Sequence, residues 1–295
     1  MLQSQMADMT WSPHETALFT VHVGDLQKPA RTLCSSLTYQ TVFNYLRQGP
    51  LPTFVLPGDN DWADCPDRDE SLGYYRTYFN YFDQHWSTAS STNNPQKEIM
   101  AVDYSIDYPE IFRFIHHDIL FLSVHLIDTK PDPNDSKKLW EEWDNRMAAN
   151  IEWVYDAFSV HPNVEFRAVV IFGHGQISQD TRVFFDGIVP AFLNGFRTDM
   201  PVLYLHGDGH NWDVNTKIST QLNWDAFIDI QVDQGAFADP LVVEIAIGNT
   251  VLEVEHELQY VFANGLLRVD RQRGRYPVGG DGRPSVEDMQ QRPNL

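Results

Sequence analysis

Residues 54–65 read FVLPGDNDWADC, and this stretch limits the possible folds more than any other. Phe54, Val55 and Leu56 form an apolar, β-prone run. Pro57-Gly58 stops it, and Asp59, Asn60 and Asp61 follow at once, with Trp62 behind them. A buried strand ending in a turn that presents acid and amide groups suits a site at the edge of an α/β sheet. Oxygen donors placed there suit hard or borderline metal ions. Gly-Asp-Asn is also an ordinary turn, so the stretch gains meaning only by repetition.

The repetition is present. The run ALFTVHV (17–23) ends in Gly24-Asp25, FRAVVIF (166–172) in Gly173-His174, and VLYL (202–205) in His206-Gly207-Asp208-Gly209-His210. Helical patterns separate several of these strands, which favours parallel strands with all four ends at one edge. Two or three carboxylates, an amide and two or three histidines would then share a crevice. Mixed oxygen and nitrogen donors suit Mn, Fe or Zn better than Ca or Mg.

The intervening elements are read from spacing. Ser35 or Ser36 caps a helix to Arg47 with Leu37, Val42, Phe43 and Leu46 inward. Ser71 caps a second, whose face carries Leu72, Tyr75, Tyr78, Phe79, Phe82 and Trp86. Residues 87–97 read as a polar loop, and 100–106, 111–116 and 119–127 as strands, the last two joined as a hairpin at His117-Asp118. A long helix over 136–158 buries Leu139, Trp143, Met147, Ile151 and Val154. A further helix covers 181–193, and late strands cover 226–232, 241–247 and 251–256. Residues 1–15 have no strong period. Residues 1–270 form one domain, and 271–295, rich in Arg, Gly, Pro, Asp and Gln, form a loose tail.

The formal net charge of −20 argues against nucleic acid or an anionic membrane as the main partner, because both need a basic surface. An anionic small substrate stays compatible, since bound cations reverse the local field. No stretch reaches the ~20 apolar residues of a membrane span, and the first residues lack the basic start and apolar centre of a signal peptide. The compartment is left open, and so is whether the N-terminus is complete. Cys34 and Cys65 each lie just beyond a proposed strand end, so one disulfide is possible, and two free thiols are the simpler reading.

The order of the blocks resembles the calcineurin-like metallophosphoesterase superfamily. That family carries a D-x-H block, then GD, then GNH followed by an acid, then a lone His, then GHxH. The resemblance covers roughly residues 17–211. HVGD, PGDNDWADC and HGDGH look like a branch whose third block reads GDNE or GDND. It implies an α/β (α+β) fold: a β-sandwich of two mixed sheets flanked by helices, with two divalent ions at the strand ends. Asp25 matches the bridging carboxylate. Asp59 stands at the family's Asn ligand, and Asn60 at its His beside the leaving group. Asp61 closes the block, His174 matches the lone His, and Asp208 and His210 match the two histidines of GHxH.

Departures accompany the match. No D-x-H strand precedes Ala17, so two expected ligands of one metal position are lacking: either the chain is truncated at its N-terminus or the site has changed. Two divalent ions are expected, or one if that first block and its strand are truly absent. Asn60 cannot donate a proton as His could, and Lys28 stands where an acid is common. The implied function is hydrolysis of a phosphate mono- or diester, with Asn60 and His206 as catalytic candidates. Asp25, Asp59, Asn60, His174, Asp208 and His210 are the metal candidates. The alternative is a catalytically inactive relative that binds a partner through an incomplete metal site. Asn60 reads equally as a ligand or a turn residue, and His22, His116, His117 and His125 read as packing or surface residues. Trp62 and Trp212 read as buried packing.

Overall fold

The computed structural model describes residues 17–28, 34–88, 101–131, 133–195, 200–215, 222, 224, 226–234, 240–247, 258–262 and 265–270. Residues 1–15, most of the 87–97 loop, the 251–256 strand and the 271–295 tail lie outside them.

The chain runs β1 (Thr20–His22), α1 (Ser36–Leu46), β2 (Thr53–Val55), a 3-10 turn (Asp59–Asp61), α2 (Arg68–Phe79), α3 (Gln84–Thr88), β3 (Asp103–Tyr104), β4 (Phe112–His116) and β5 (Ile119–Ser123). It continues with α4 (Lys137–Ser159), β6 (Ala168–Phe172), α5 (Arg182–Gly195), β7 (Val202–His206), β8 (Asp213–Asn215), β9 (Phe227–Gln231), β10 (Val242–Ile247), β11 (Leu258–Phe262) and β12 (Gly265–Asp270).

A seven-stranded mixed sheet has the order β3-β4-β5-β6-β7-β9-β8. Its centre, β5-β6-β7-β9, is parallel, and both edges are antiparallel. The central strands read as unbroken apolar runs because both faces are covered. Leu120, Leu122, Val169, Ile171, Val202 and Tyr204 pack with the helical residues Trp143, Met147, Val154, Phe184, Phe185 and Phe192. The alternating residues Phe121, Val170, Phe172, Leu203 and Leu205 face the other way. There they meet Phe54 and Leu56 beside β1, with Val243, Ile245 and Val269 from β10 and β12.

The second layer is split among the described residues: β1-β2 is a parallel pair, and β10-β12-β11 an antiparallel sheet. On β2 the alternation continues, since Val55 turns away from Phe54 and packs with Tyr39, Leu46, Leu72, Tyr75 and Phe79 of α1 and α2. The order of layers is therefore helix, large sheet, small sheets, helix. This bears out the mixed α+β class. The four strand ends do meet, but they come from two facing sheets and not from one parallel sheet.

Helix starts follow capping chemistry. Ser35 accepts from the Leu37 N–H at 3.2 Å, and Ser136 from the Leu139 N–H at 3.3 Å. Ser71 is not a cap: Asp67 caps α2, accepting from Glu70 at 2.9 Å, and Ser71 is a buried residue of that helix. Leu37 points outward, being 68 % exposed, and Tyr39 takes the inward place. The strand read over 100–106 shortens to β3, and β11 and β12 had no counterpart in the sequence reading. The hairpin at His117-Asp118 is present; both residues have positive φ (49° and 63°), as a type I′ turn requires. Trp62 is buried as expected, and Trp212 is partly buried against the face of the large sheet that carries Phe121, Val170, Phe172, Leu203 and Leu205.

Cys34 and Cys65 form a disulfide, which replaces the reading of two free thiols. The Cys34 and Cys65 positions lie far apart in sequence, with a separation of 31, and only packing of α1 against the 59–65 turn brings their Cα atoms to 5.8 Å. Among the described residues no helix is long and apolar enough to cross a membrane.

Candidate metal centre

Two loops supply the carboxylates. β1 and β2 run in parallel with Val21 opposite Phe54, so the chain leaves both strands at the same level. Gly24 follows β1 at φ 102°, and a Cβ there would sit 2.4 Å from His174 Nδ1. Gly58 follows β2, and a Cβ there would sit 2.3 Å from Asp25 Oδ1. Glycine at both positions lets the two loops and the His174 ring come together. Asp61 ties the loops: its buried Oδ2 accepts from the backbone N–H of Gly58 at 2.9 Å and of Leu26 at 3.1 Å. Burial raises the Asp61 carboxyl to about 6, against the pull of these two donors.

The large sheet supplies the nitrogen. His174 lies just past β6 and is 1 % exposed. Its Nδ1 is 2.7 Å from the Val23 carbonyl and donates to it, which fixes the ring with Nε2 toward the carboxylates. Nε2 is 3.3 Å from Asp25 Oδ1, 3.3 Å from Asp59 Oδ1 and 3.8 Å from Asp208 Oδ1. One donor atom each from Asp25, Asp59 and His174 can be chosen so that all lie within 4.8 Å of one another.

The charges explain one another. Burial pushes the Asp25 carboxyl up to about 8; the His174 charge opposes this, and Asp59 adds to it. Burial also opposes the Asp59 charge, but His174 beside it outweighs that and holds Asp59 at about 2. Burial disfavours an imidazolium at His174, yet the Asp59 and Asp25 carboxylates raise it to about 9. Without a cation, the group therefore keeps protons on Asp25 and His174 to balance its own charge.

The other expected residues divide. Asp208 is brought to the rim, because the backbone N–H groups of Gly207 and Asp208 donate to the His174 carbonyl at 3.2 and 3.1 Å. His210, at φ 60°, places Nε2 3.3 Å from Asp25 Oδ2, and its side chain is 43 % exposed. Asn60 contributes its backbone N–H, which lies 2.8 Å from Asp59 Oδ1 and 3.4 Å from Asp25 Oδ1. His206 is buried on β7. Its ring stacks on Tyr204 at 5.1 Å, and its Nε2 lies 3.0 Å from Asp229 Oδ1 on β9.

Two buried polar groups behind the site escaped the sequence reading. Gln27 donates to the Tyr39 hydroxyl at 2.8 Å and to the Asn60 carbonyl at 3.0 Å, and Ser71 donates to the Asp61 carbonyl at 3.0 Å. Beyond Trp62, Arg146 is buried against Glu110 at 2.5 Å, with its guanidinium 4.4 Å from the Trp62 ring centre. His125, read as packing, is fully buried here, and its Nδ1 lies 3.1 Å from Glu110. The available signal was Arg146 at helical spacing among Trp143, Met147 and Asn150, a charge on an apolar face.

Comparison with protein-family models, with curated proteins and with solved structures finds no match.

Proposed function

We propose that this chain binds a divalent metal ion through Asp25, Asp59 and His174 and uses it to hydrolyse a phosphoester. The observation that carries the reading is His174 Nε2: buried, fixed in direction by Val23, and 3.3 Å from an oxygen of each of two carboxylates that converge on it. A divalent ion among these three groups would take over the charge balance that protons on Asp25 and His174 otherwise supply. Two oxygens and an imidazole suit Mn, Fe or Zn.

Asp25 and His174 must shed their protons to act as ligands, so metal uptake releases protons and strengthens as pH rises. Asn60 N–H groups the two carboxylates, and Asp61 holds their loops in register. A bound ion would polarise a phosphoryl oxygen and lower the pKa of its water toward neutrality. Asp208 and His210 stand beside the three ligands, where a substrate would meet the ion. A second ion would be held by Asp25 with His210, whose Nε2 lies 3.3 Å from an Asp25 oxygen. The formal net charge of −20 opposes an anionic substrate, and a bound cation would reverse the local field at the site.

The test is metal content per chain after expression with Mn, Fe and Zn supplied, beside an Asp25→Ala, His174→Ala double variant. The expected result is about one ion per chain, held by Asp25, Asp59 and His174, lost in the variant, with turnover of an aryl phosphate mono- or diester. About two ions would add the second position. No ion in the wild type overturns the reading. An ion with no turnover of either phosphate ester leaves the site to binding alone, and turnover of a carboxylate ester only moves the reaction to another class.

A further inference from the structure

One covalent bond ties the turn that carries Asp59 to the start of helix α1. Asp59 begins a compact turn in which Asp61 N–H bonds to the Gly58 carbonyl, Trp62 and Asp64 to that of Asp59, and Cys65 to that of Trp62. Cys65 therefore ends the same turn that Asp59 opens. Its disulfide partner, Cys34, stands directly before the Ser35 cap of α1. Helix α1 in turn presents Tyr39, whose hydroxyl meets Gln27 at 2.8 Å and Ser71 at 3.0 Å. Gln27 follows Asp25 closely and donates to the Asn60 carbonyl at 3.0 Å. Both sulfurs belong to residues at most 5 % exposed. The disulfide thus closes a buried polar circuit that runs from the Asp25 loop through Gln27 to the Asp59 turn.

We infer that the Cys34–Cys65 disulfide is a positioning element of the metal centre, so that its reduction weakens metal binding. This rests on the metal-binding reading above. The step is a two-electron exchange. A thiolate of an external dithiol attacks one sulfur, the protein S–S bond breaks, and the second thiol of the reductant displaces the mixed disulfide. The products are two cysteine thiols and the oxidised dithiol. With the bond cut, the Asp59 turn is held by hydrogen bonds alone, its local ones and those to Leu26, Gln27, Tyr39 and Ser71, and the geometry shared with Asp25 and His174 loosens. Outer-shell supports of this kind are worth about ten- to a hundredfold in metal affinity.

The experiment uses the full chain and Mn(II) alone as the probe, counted by the electron paramagnetic resonance of the free ion. Mn(II) prefers oxygen and imidazole donors and has little use for the freed thiols. Three samples are titrated: oxidised wild type, wild type opened by a phosphine reductant, and a Cys34→Ala, Cys65→Ala variant. Circular dichroism follows each, and the visible spectrum of a Co(II)-loaded sample reports the coordination. The expected result is Mn(II) affinity lower by about ten- to a hundredfold in both opened forms, with the circular dichroism retained and the Co(II) spectrum changed. Equal affinity and an unchanged Co(II) spectrum overturn the inference and leave the metal site standing. No Mn(II) bound by the oxidised wild type overturns the metal reading itself. Loss of the circular dichroism in both opened forms also overturns the inference, because the bond would then hold the whole fold and not the site.

Discussion

A single buried histidine shows how this interior treats charge. His125 is fully buried, and burial, with the Arg146 guanidinium beside it, lowers its pKa to about 4. The unfolded chain protonates this ring near its ordinary value of ~6.5, and the folded chain resists until about 4. Between those values the unfolded state binds more protons, so stability falls as pH falls from ~6.5 toward 4. Urea denaturation of metal-free protein at pH 7 and pH 5 should show the loss. His125→Gln should remove about 2 kcal/mol of the difference between the two pH values. An unchanged pH slope in the variant would show that His125 is not the group responsible. His174 behaves in the opposite sense, because its carboxylate neighbours outweigh its burial. These two histidines follow similar apolar runs in the sequence. Only the neighbours supplied by packing, Arg146 for one and Asp25 with Asp59 for the other, separate them.

Among the elements, the turn and pairing of the β4–β5 hairpin were legible, although the second strand, read to 127, ends at Ser123. Two apolar runs joined by His117-Asp118 require a two-residue turn, and the observed backbone has positive φ at both positions. Neither side chain favours that conformation as Asn-Gly does. The His117→Asn, Asp118→Gly variant should therefore raise stability by about 1 kcal/mol, or about 2 °C in Tm for a chain of this size. The Asp118–Arg167 ion pair that it removes is exposed and 3.8 Å long, and subtracts little. A fall in Tm in a thermal melt would show that the turn depends on those side chains. Helix positions were legible for α1, α4 and α5 because apolar spacing marks them. The start of α2 was misread, because Asp67 and Ser71 are both good caps locally and the burial of Ser71 is decided by its bond to Asp61. Strands β11 and β12 were missed, since neither carries a turn signal as strong as those around β4 and β5.

At the scale of the molecule, the charge of −20 spreads over a fold whose centre is apolar on both faces of the large sheet. Self-repulsion of that charge destabilises the compact state. Thermal melts should show Tm rising as NaCl goes from about 10 mM to about 150 mM, where the screening length shrinks from about 30 Å to about 8 Å. A flat or falling Tm would mean that local ion pairs, and not net repulsion, dominate. By itself the sequence determined the α+β class and most strands and helices. It also marked the Gly-Asp and Gly-His strand ends that the fold brings together, because periodicity and turn chemistry act over a few neighbours and can be read locally. Only the tertiary structure decided the rest. It set Asp25, Asp59 and His174 around one point, sent His206 to Asp229, left Asn60 offering its backbone, and closed Cys34 on Cys65. Each of those depends on which strand ends meet across two facing sheets, a distance in space that no spacing along the chain encodes.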